Sequence, residues 1–269
     1  VSPLNTQVKD YKTMPGHWVL ASLGKKVLRP GGLHMTRKML ADLNIGEQDE
    51  VVEFAPGLGI TAQITLQMNP LQYTAVEQNE VAAKVVRSYV HGNNRHVLIA
   101  NAEHVPLPDG SATVIYGEAM LTMQTSAQKS RIIAEAKRIL KPGGKYGIHE
   151  MSLTPVDIDD TTKKEIRQDL AKAIRVNASP LTADEWQQLL IQHGFKIVSV
   201  HTAPMHLLHL RRLIQDEGWK GVLKITGNIV LNRQARHRVL TMRKQFVKHA
   251  AHIQGISIIA ELLPEEPSI

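Results

Sequence analysis

The segment Val51-Val52-Glu53-Phe54-Ala55-Pro56-Gly57-Leu58-Gly59-Ile60-Thr61-Ala62 constrains this chain more than any other. Its apolar start predicts a buried strand, its two glycines a tight turn, and its continuation a helix. Glycine lets the backbone approach a ligand closely and take φ values that side chains forbid. The helix start offers unpaired N–H groups. Glu77 stands eighteen residues beyond Gly59 and ends a second apolar run, Tyr73-Thr74-Ala75-Val76. An acid at that place can accept both hydroxyl protons of a ribose. Strand, glycine turn, helix and acid together point to an adenosine-containing ligand. The spacing Gly57-x-Gly59-x-x-Ala62 also fits a nicotinamide dinucleotide. Glu53 weighs against that reading, because a carboxylate just before the turn repels a pyrophosphate and suits a ligand with a cationic ammonium and sulfonium. A Lys141-Pro142-Gly143-Gly144 turn ahead of the fifth strand is the second feature against it.

The surrounding pattern alternates. Helices are predicted at 16–28 and 33–43, around the turn Leu28-Arg29-Pro30-Gly31-Gly32. Strands follow at 50–55, 73–77, 97–100, 112–117 and 145–149, separated by helices at 60–69, 79–90 and 126–140. The last of these carries Ile132, Ile133, Ala136, Ile139 and Leu140 on one stripe. Strands joined through helices imply right-handed crossovers and a parallel sheet covered on both faces. Further on, helices are expected at 160–176 and from Thr182, which with Glu185 forms a capping-box pattern. A sixth strand spans 195–200, a mostly helical stretch 205–251, and a last strand 255–260.

Residues 45 to 150 resemble the class I S-adenosylmethionine-dependent methyltransferases, and more narrowly the group that includes quinone- and sterol-methylating enzymes. In that family an acid and Gly-x-Gly-x-Gly follow the first strand. Glu53 matches the acid, Gly57 and Gly59 the last two glycines, and Ala55 stands in place of the first. Glu77 matches the ribose-binding acid, with Gln78 beside it. Asn101-Ala102-Glu103, with Leu107-Pro108, resembles the segment bordering the adenine, where the family's acid commonly comes one residue earlier. The Leu140–Gly144 turn matches closely.

The resemblance implies a Rossmann-like α/β fold: a doubly wound seven-stranded sheet of order 3-2-1-4-5-7-6, the last strand antiparallel. N-terminal helices precede it and a helical insertion lies between strands six and seven. One domain is expected, with a helical lid at 1–44, the core at 45–203 and 253–263, and a basic cap at 204–252. The implied cofactor is S-adenosylmethionine, leaving as S-adenosylhomocysteine. It would be held by Gly31, Gly32, Glu53, Ala55, Pro56, Gly57, Gly59, Glu77, Gln78, Asn101, Ala102, Glu103, Gly117 and Glu118.

Methyl transfer from a sulfonium is an in-line displacement, so positioning can supply much of the rate. A base is needed only where the acceptor must lose a proton. Candidates are Glu118, ending strand four, and His149 and Glu150, ending strand five. His206/His209 and His249/His252 share i, i+3 spacing, but neither pair has an evident third ligand, so no metal is expected.

The net charge of +7 is concentrated between residues 211 and 250, where ten Lys and Arg face only Asp216 and Glu217. Such a face attracts anionic substrates, membrane surfaces or nucleic acid. Arg233, Arg236 and Arg238 are candidates to bind an anionic acceptor. Met205, Leu207, Leu208, Leu210, Leu213 and Trp219 are candidates for an apolar acceptor pocket. Aromatic content of 4% disfavours base stacking and so a nucleic-acid substrate. The absence of cysteine excludes disulfides and thiolate metal sites and fits a reducing, cytoplasmic setting. No apolar run approaches the roughly 18–20 residues that span a bilayer, which leaves peripheral membrane contact open. The alternatives to a small-molecule methyltransferase are a cofactor-binding regulatory protein without turnover, an RNA methyltransferase and a nicotinamide oxidoreductase.

Overall fold

The computed structural model describes residues 10–205 and 210–264. An eight-stranded sheet runs β3-β2-β1-β4-β5-β8-β7, and a two-residue β6 pairs with β5. The strands are β1 (Glu50–Phe54), β2 (Gln72–Val76), β3 (Arg95–Leu98), β4 (Ala112–Glu118), β5 (Leu140–Leu153), β6 (Leu181–Thr182), β7 (Phe195–Pro204) and β8 (Ile253–Leu262). Pairing is parallel from β3 to β5. β8 lies antiparallel between β5 and β7. With the short β6 set aside, this is the order that the resemblance implied.

Alternation along the strands sends side chains to two faces. Val52, Phe54, Ile115 and Ile148 pack with Ile132, Ile133, Ala136 and Ile139 of α5 (Ser126–Ile139) and Trp186 and Leu190 of α7 (Ala183–Gln192). Val51, Tyr73, Ala75, Val114 and Tyr116 pack on the other face with Met39, Leu40 and Leu43 of α2 (Gly32–Leu43), Ala62 of α3 (Ile60–Gln67) and Val86 of α4 (Glu80–Arg87). The helix starts are explicit. Asn79 caps α4, Thr125 and Gln128 form a capping box on α5, and Thr182 and Glu185 form the expected one on α7.

A smaller core joins α1 (Gly16–Ser22), α6 (Asp160–Ile174) and α9 (Arg233–Lys248) through Val19, Leu20, Ala173, Ala235, Val239 and Met242. α8 (Leu210–Leu231) is broken at Gly218, whose φ of 69° is left-handed. Several spans differ from the sequence expectation, among them β5, which begins at Leu140, and β7, which runs on to Pro204. The first helix stops at Ser22 instead of running to 28, because the N–H groups of Lys26 and Val27 donate to the Glu217 carboxylate of α8, at 2.8 and 2.9 Å. β5 extends past His149 to Leu153, because β8 pairs with it through Ile253.

Candidate active site

The glycine turn and the ribose-type acid meet as expected. Gly57 (φ 57°) and Gly59 (φ 72°) are left-handed, and Gly59 starts α3. A Cβ at Gly57 would enter open space, meeting only the Ala55 carbonyl oxygen at 4.0 Å, whereas one at Gly59 would press on Tyr89. Gly59 N–H closes the turn by donating to the Pro56 carbonyl, 2.9 Å. Glu77 accepts from Gly57 N–H at 3.1 Å and Asn79 N–H at 2.9 Å. Burial raises its pKa, against the pull of these backbone donors. Ala55 itself sits at φ 52°, which is the conformation that makes glycine the family's usual choice here.

Glu53 departs from the expectation of a carboxylate open to a ligand ammonium. It is 3% exposed and accepts from the hydroxyls of Tyr73 and Tyr116, the latter at 2.8 Å. Burial lifts its pKa to about 7, although both hydroxyl donors pull it down. The tyrosines come from the neighbouring strands at the same face: Val51 stands beside Tyr73, and Glu53 beside Tyr116.

Gln78 and Asn101 are exposed and Ala102 is buried. Asn101 Oδ1 accepts from Glu103 N–H at 3.0 Å, and Glu103 takes Arg131 and Gln128 as partners, which lowers its pKa. Gly117 leaves room for Met120, whose sulfur would lie 3.0 Å from an added Cβ.

A second group forms where β4 and β5 end. Glu118 accepts from Arg29, which also reaches the hydroxyls of Thr36 and Thr61. Thr36 donates to the same carboxylate at 3.0 Å. Burial would raise the pKa of Glu118, but Arg29 and His149 hold it down at about 2. His149 is fully buried, with Nε2 on the Pro30 carbonyl and Nδ1 3.6 Å from Glu118. Gly31 (φ 69°) and Gly32 (φ 64°) continue this loop into α2. Gly255 of β8 lets it approach: a Cβ there would stand 3.0 Å from Gly31 N and the Pro30 carbonyl carbon.

Arg29, Thr36 and Thr61 were not singled out in the sequence. Arg29 precedes the Pro-Gly-Gly turn, but only the fold brings that turn over strands far along the chain. Lys25 was missed too: it is 1% exposed, its ammonium makes no hydrogen bond, and Glu217 lies 3.7 Å away.

Glu150 does not take the place expected of a proton-transfer group. Its two oxygens accept from the N–H groups of Met120, Leu121 and Thr122 and from the Thr122 hydroxyl, at 2.7–3.0 Å. That clamps the turn after β4. Arg238, expected to bind an acceptor, is buried and donates to the Ala173 and Met14 carbonyls. Trp219, expected in an apolar pocket, is 64% exposed, while Met205 is core. Leu207, Leu208, His206 and His209 lie outside the described residues, as do the side chains of Leu210 and Leu213. His249 bonds Asp169 at 2.9 Å and His252 the Thr154 carbonyl. Glu165 and Asp169, near His249, each hold the Lys248 ammonium at 2.7 Å.

Comparison with known proteins agrees with this fold. Residues 52–148 match the family model described as a methyltransferase domain. An uncharacterized protein of Haemophilus influenzae is 34% identical over 90% of this chain and 96% of its own. The phosphoethanolamine N-methyltransferase of Plasmodium falciparum is 24% identical over 75% of this chain and 82% of its own. The ubiquinone/menaquinone biosynthesis C-methyltransferase UbiE of Cupriavidus pinatubonensis is 31% identical over 46% of this chain, which spans about half of that relative. In fold, phosphoethanolamine N-methyltransferase 2 of Haemonchus contortus, solved with S-adenosyl-L-methionine, aligns with a TM-score of 0.69 at 15% identity, over 97% of this chain and 59% of that one. The chain belongs to the class I S-adenosylmethionine-dependent methyltransferases. Its cofactor is S-adenosylmethionine, and within the class it groups with the small-molecule methyltransferases.

The residues present fit that cofactor. The open side of Gly57 and the neighbouring Glu77 carboxylate form a cradle that a Cβ would fill, with an acid placed for ribose hydroxyls.

Proposed function

We propose that this enzyme methylates a small acceptor that needs no base from the protein, above all an amine that reacts as its free base, seated against Glu118 at the ends of β4 and β5. The observation that carries this is the state of Glu118: paired with Arg29 and held at about 2, it stays a carboxylate, a poor proton acceptor but a good partner for a polar N–H. The other two candidates are held differently. His149 is bonded at Nε2 to the Pro30 carbonyl, while its buried Nδ1 lies 3.6 Å from Glu118 without a hydrogen bond, and Glu150 is saturated with donors.

S-adenosylmethionine, when bound, supplies a methyl group on a positively charged sulfur, which needs no further activation. On this reading Gly57, Gly59 and Glu77 hold the adenosine end, with Ala55 and Pro56 shaping the turn and Gln78, Asn101, Ala102 and Glu103 at its border. Gly31, Gly32 and Gly117 shape the path towards the acceptor. Glu118 orients the acceptor, and the Arg29–Gly32 loop excludes water. A relative whose name denotes N-methylation supports the reading; the C-methyltransferase relative supplies the competing acceptor class.

The test is turnover to S-adenosylhomocysteine with primary amines, phenols and quinone-precursor rings. Amines should be methylated, at a rate that rises with pH along the amine's own titration. Glu118→Gln should raise KM more than it lowers kcat. Turnover confined to phenols or ring carbons, with a pH limb that His149→Asn abolishes, would refute it. Cofactor binding without turnover on any class would favour a regulatory protein.

A further inference from the structure

The part of α8 after Gly218 has two apolar sides. Ile225 and Ile229 face inward, Ile225 being 5% exposed. At 100° per residue, Trp219, Leu223, Thr226 and Val230 fall within about 60° of one another on the outer side. Trp219, Leu223 and Val230 are 64%, 63% and 61% exposed, and Leu231 at the helix end is 86% exposed. An amphipathic helix in a folded domain needs one apolar stripe; a second, outward one is unexplained by packing.

The charge on this surface is of one sign. Lys220 and Lys224 are exposed on one side of the stripe, and the Lys220 ammonium lies 5.6 Å from the Trp219 ring centroid. Arg236 sits beside it, donating to the Val230 carbonyl at 3.0 Å. On α9, Arg233, Arg236, Leu240, Arg243, Lys244 and Val247 are all exposed. The acids of this stretch do not offset them. Asp216 and Glu217 turn the other way, accepting from the backbone of Leu33, Lys26 and Val27. The left-handed break at Gly218 separates those inward acids from the outward Trp219.

We propose that the outer faces of α8 and α9 bind an anionic bilayer surface, with Trp219, Leu223, Val230 and Leu231 entering the headgroup boundary and the Lys and Arg side chains meeting lipid phosphates. Both halves of the pattern fit this occupant: apolar residues bury in the interface while flanking cations gain about 1 kcal/mol each, roughly fivefold in affinity per cation. A nucleic acid would use the cations but leave the apolar stripe in water. A second copy, paired about a two-fold axis, would bring the same cations against one another. The inference is independent of the acceptor.

The test is co-sedimentation of the full chain with vesicles of phosphatidylglycerol and phosphatidylcholine, against phosphatidylcholine alone, at physiological salt. Binding should require the anionic lipid. The paired change Leu223→Glu and Val230→Glu should cut it at least tenfold, and Lys220→Glu with Lys224→Glu by a similar factor, while S-adenosylhomocysteine affinity is unchanged. Brominated lipid should quench tryptophan emission in the native chain but far less in Trp219→Phe. No binding to anionic vesicles, binding indifferent to the Leu223 and Val230 changes, or tight salt-sensitive binding to double-stranded RNA in place of vesicles would each overturn it.

Discussion

Replacing Glu53 by glutamine should change how stability depends on pH, and the size can be worked out. Glu53 is fully enclosed and its pKa stands at about 7, against 4.5 for a free carboxyl. A raised folded pKa means that the native state holds a proton which the unfolded chain releases first. The native protein therefore loses stability as pH rises from about 4.5, and the loss is complete above about 7. The difference between the two pKa values corresponds to ~3 kcal/mol at full ionisation, most of which falls between pH 5 and pH 8. Glutamine cannot ionise, so this dependence should vanish. Its amide oxygen can still accept from Tyr73 and Tyr116, but its NH2 group must be buried without a partner, at a cost of ~1–2 kcal/mol. The variant should thus be the less stable of the two at pH 5 and the more stable at pH 8. In thermal unfolding the difference between the two proteins should swing by ~5 °C or more across that range. Parallel curves at pH 5, 6.5 and 8 would refute the reasoning, since they would mean that Glu53 is already ionised in the native state.

Glu77→Ala should weaken S-adenosylhomocysteine binding by ~100- to 1000-fold, from two charge-assisted hydrogen bonds of ~1.5–2 kcal/mol each; calorimetric titration reads this directly. Ala55→Gly should stabilise the chain by ~0.5–1 kcal/mol in urea titration, because relief of the left-handed φ (~1–2 kcal/mol) outweighs the added chain entropy (~0.4–1 kcal/mol). A destabilised variant would mean that the Ala55 methyl packs more usefully than its backbone suffers.

The sequence alone determined the sheet and the glycine turn with its acid. Apolar runs that alternate with amphipathic helices are local patterns. The glycine turn with Glu77 is legible because a strand, a tight turn and a helix fix where its backbone points. Even the Ala55 exception was visible as a residue standing where glycine is expected. The surroundings of the later strand ends were not legible. Glu118 and His149 could be picked out as strand ends, but their partners, Arg29 and the Pro30 carbonyl, lie 89 and 119 residues away. Glu150 looked reactive until the fold surrounded it with the donors of residues 120–122, and Glu53 looked open until Tyr73 and Tyr116 closed on it from adjacent strands. The basic stretch behaved likewise. Composition showed its charge, but only packing turned its two acids inward, buried Arg238 and left Trp219 in solvent. Residue type sets what a carboxylate or an arginine can do. Burial and partners decide what it does, and those come from tertiary contacts that no local pattern encodes.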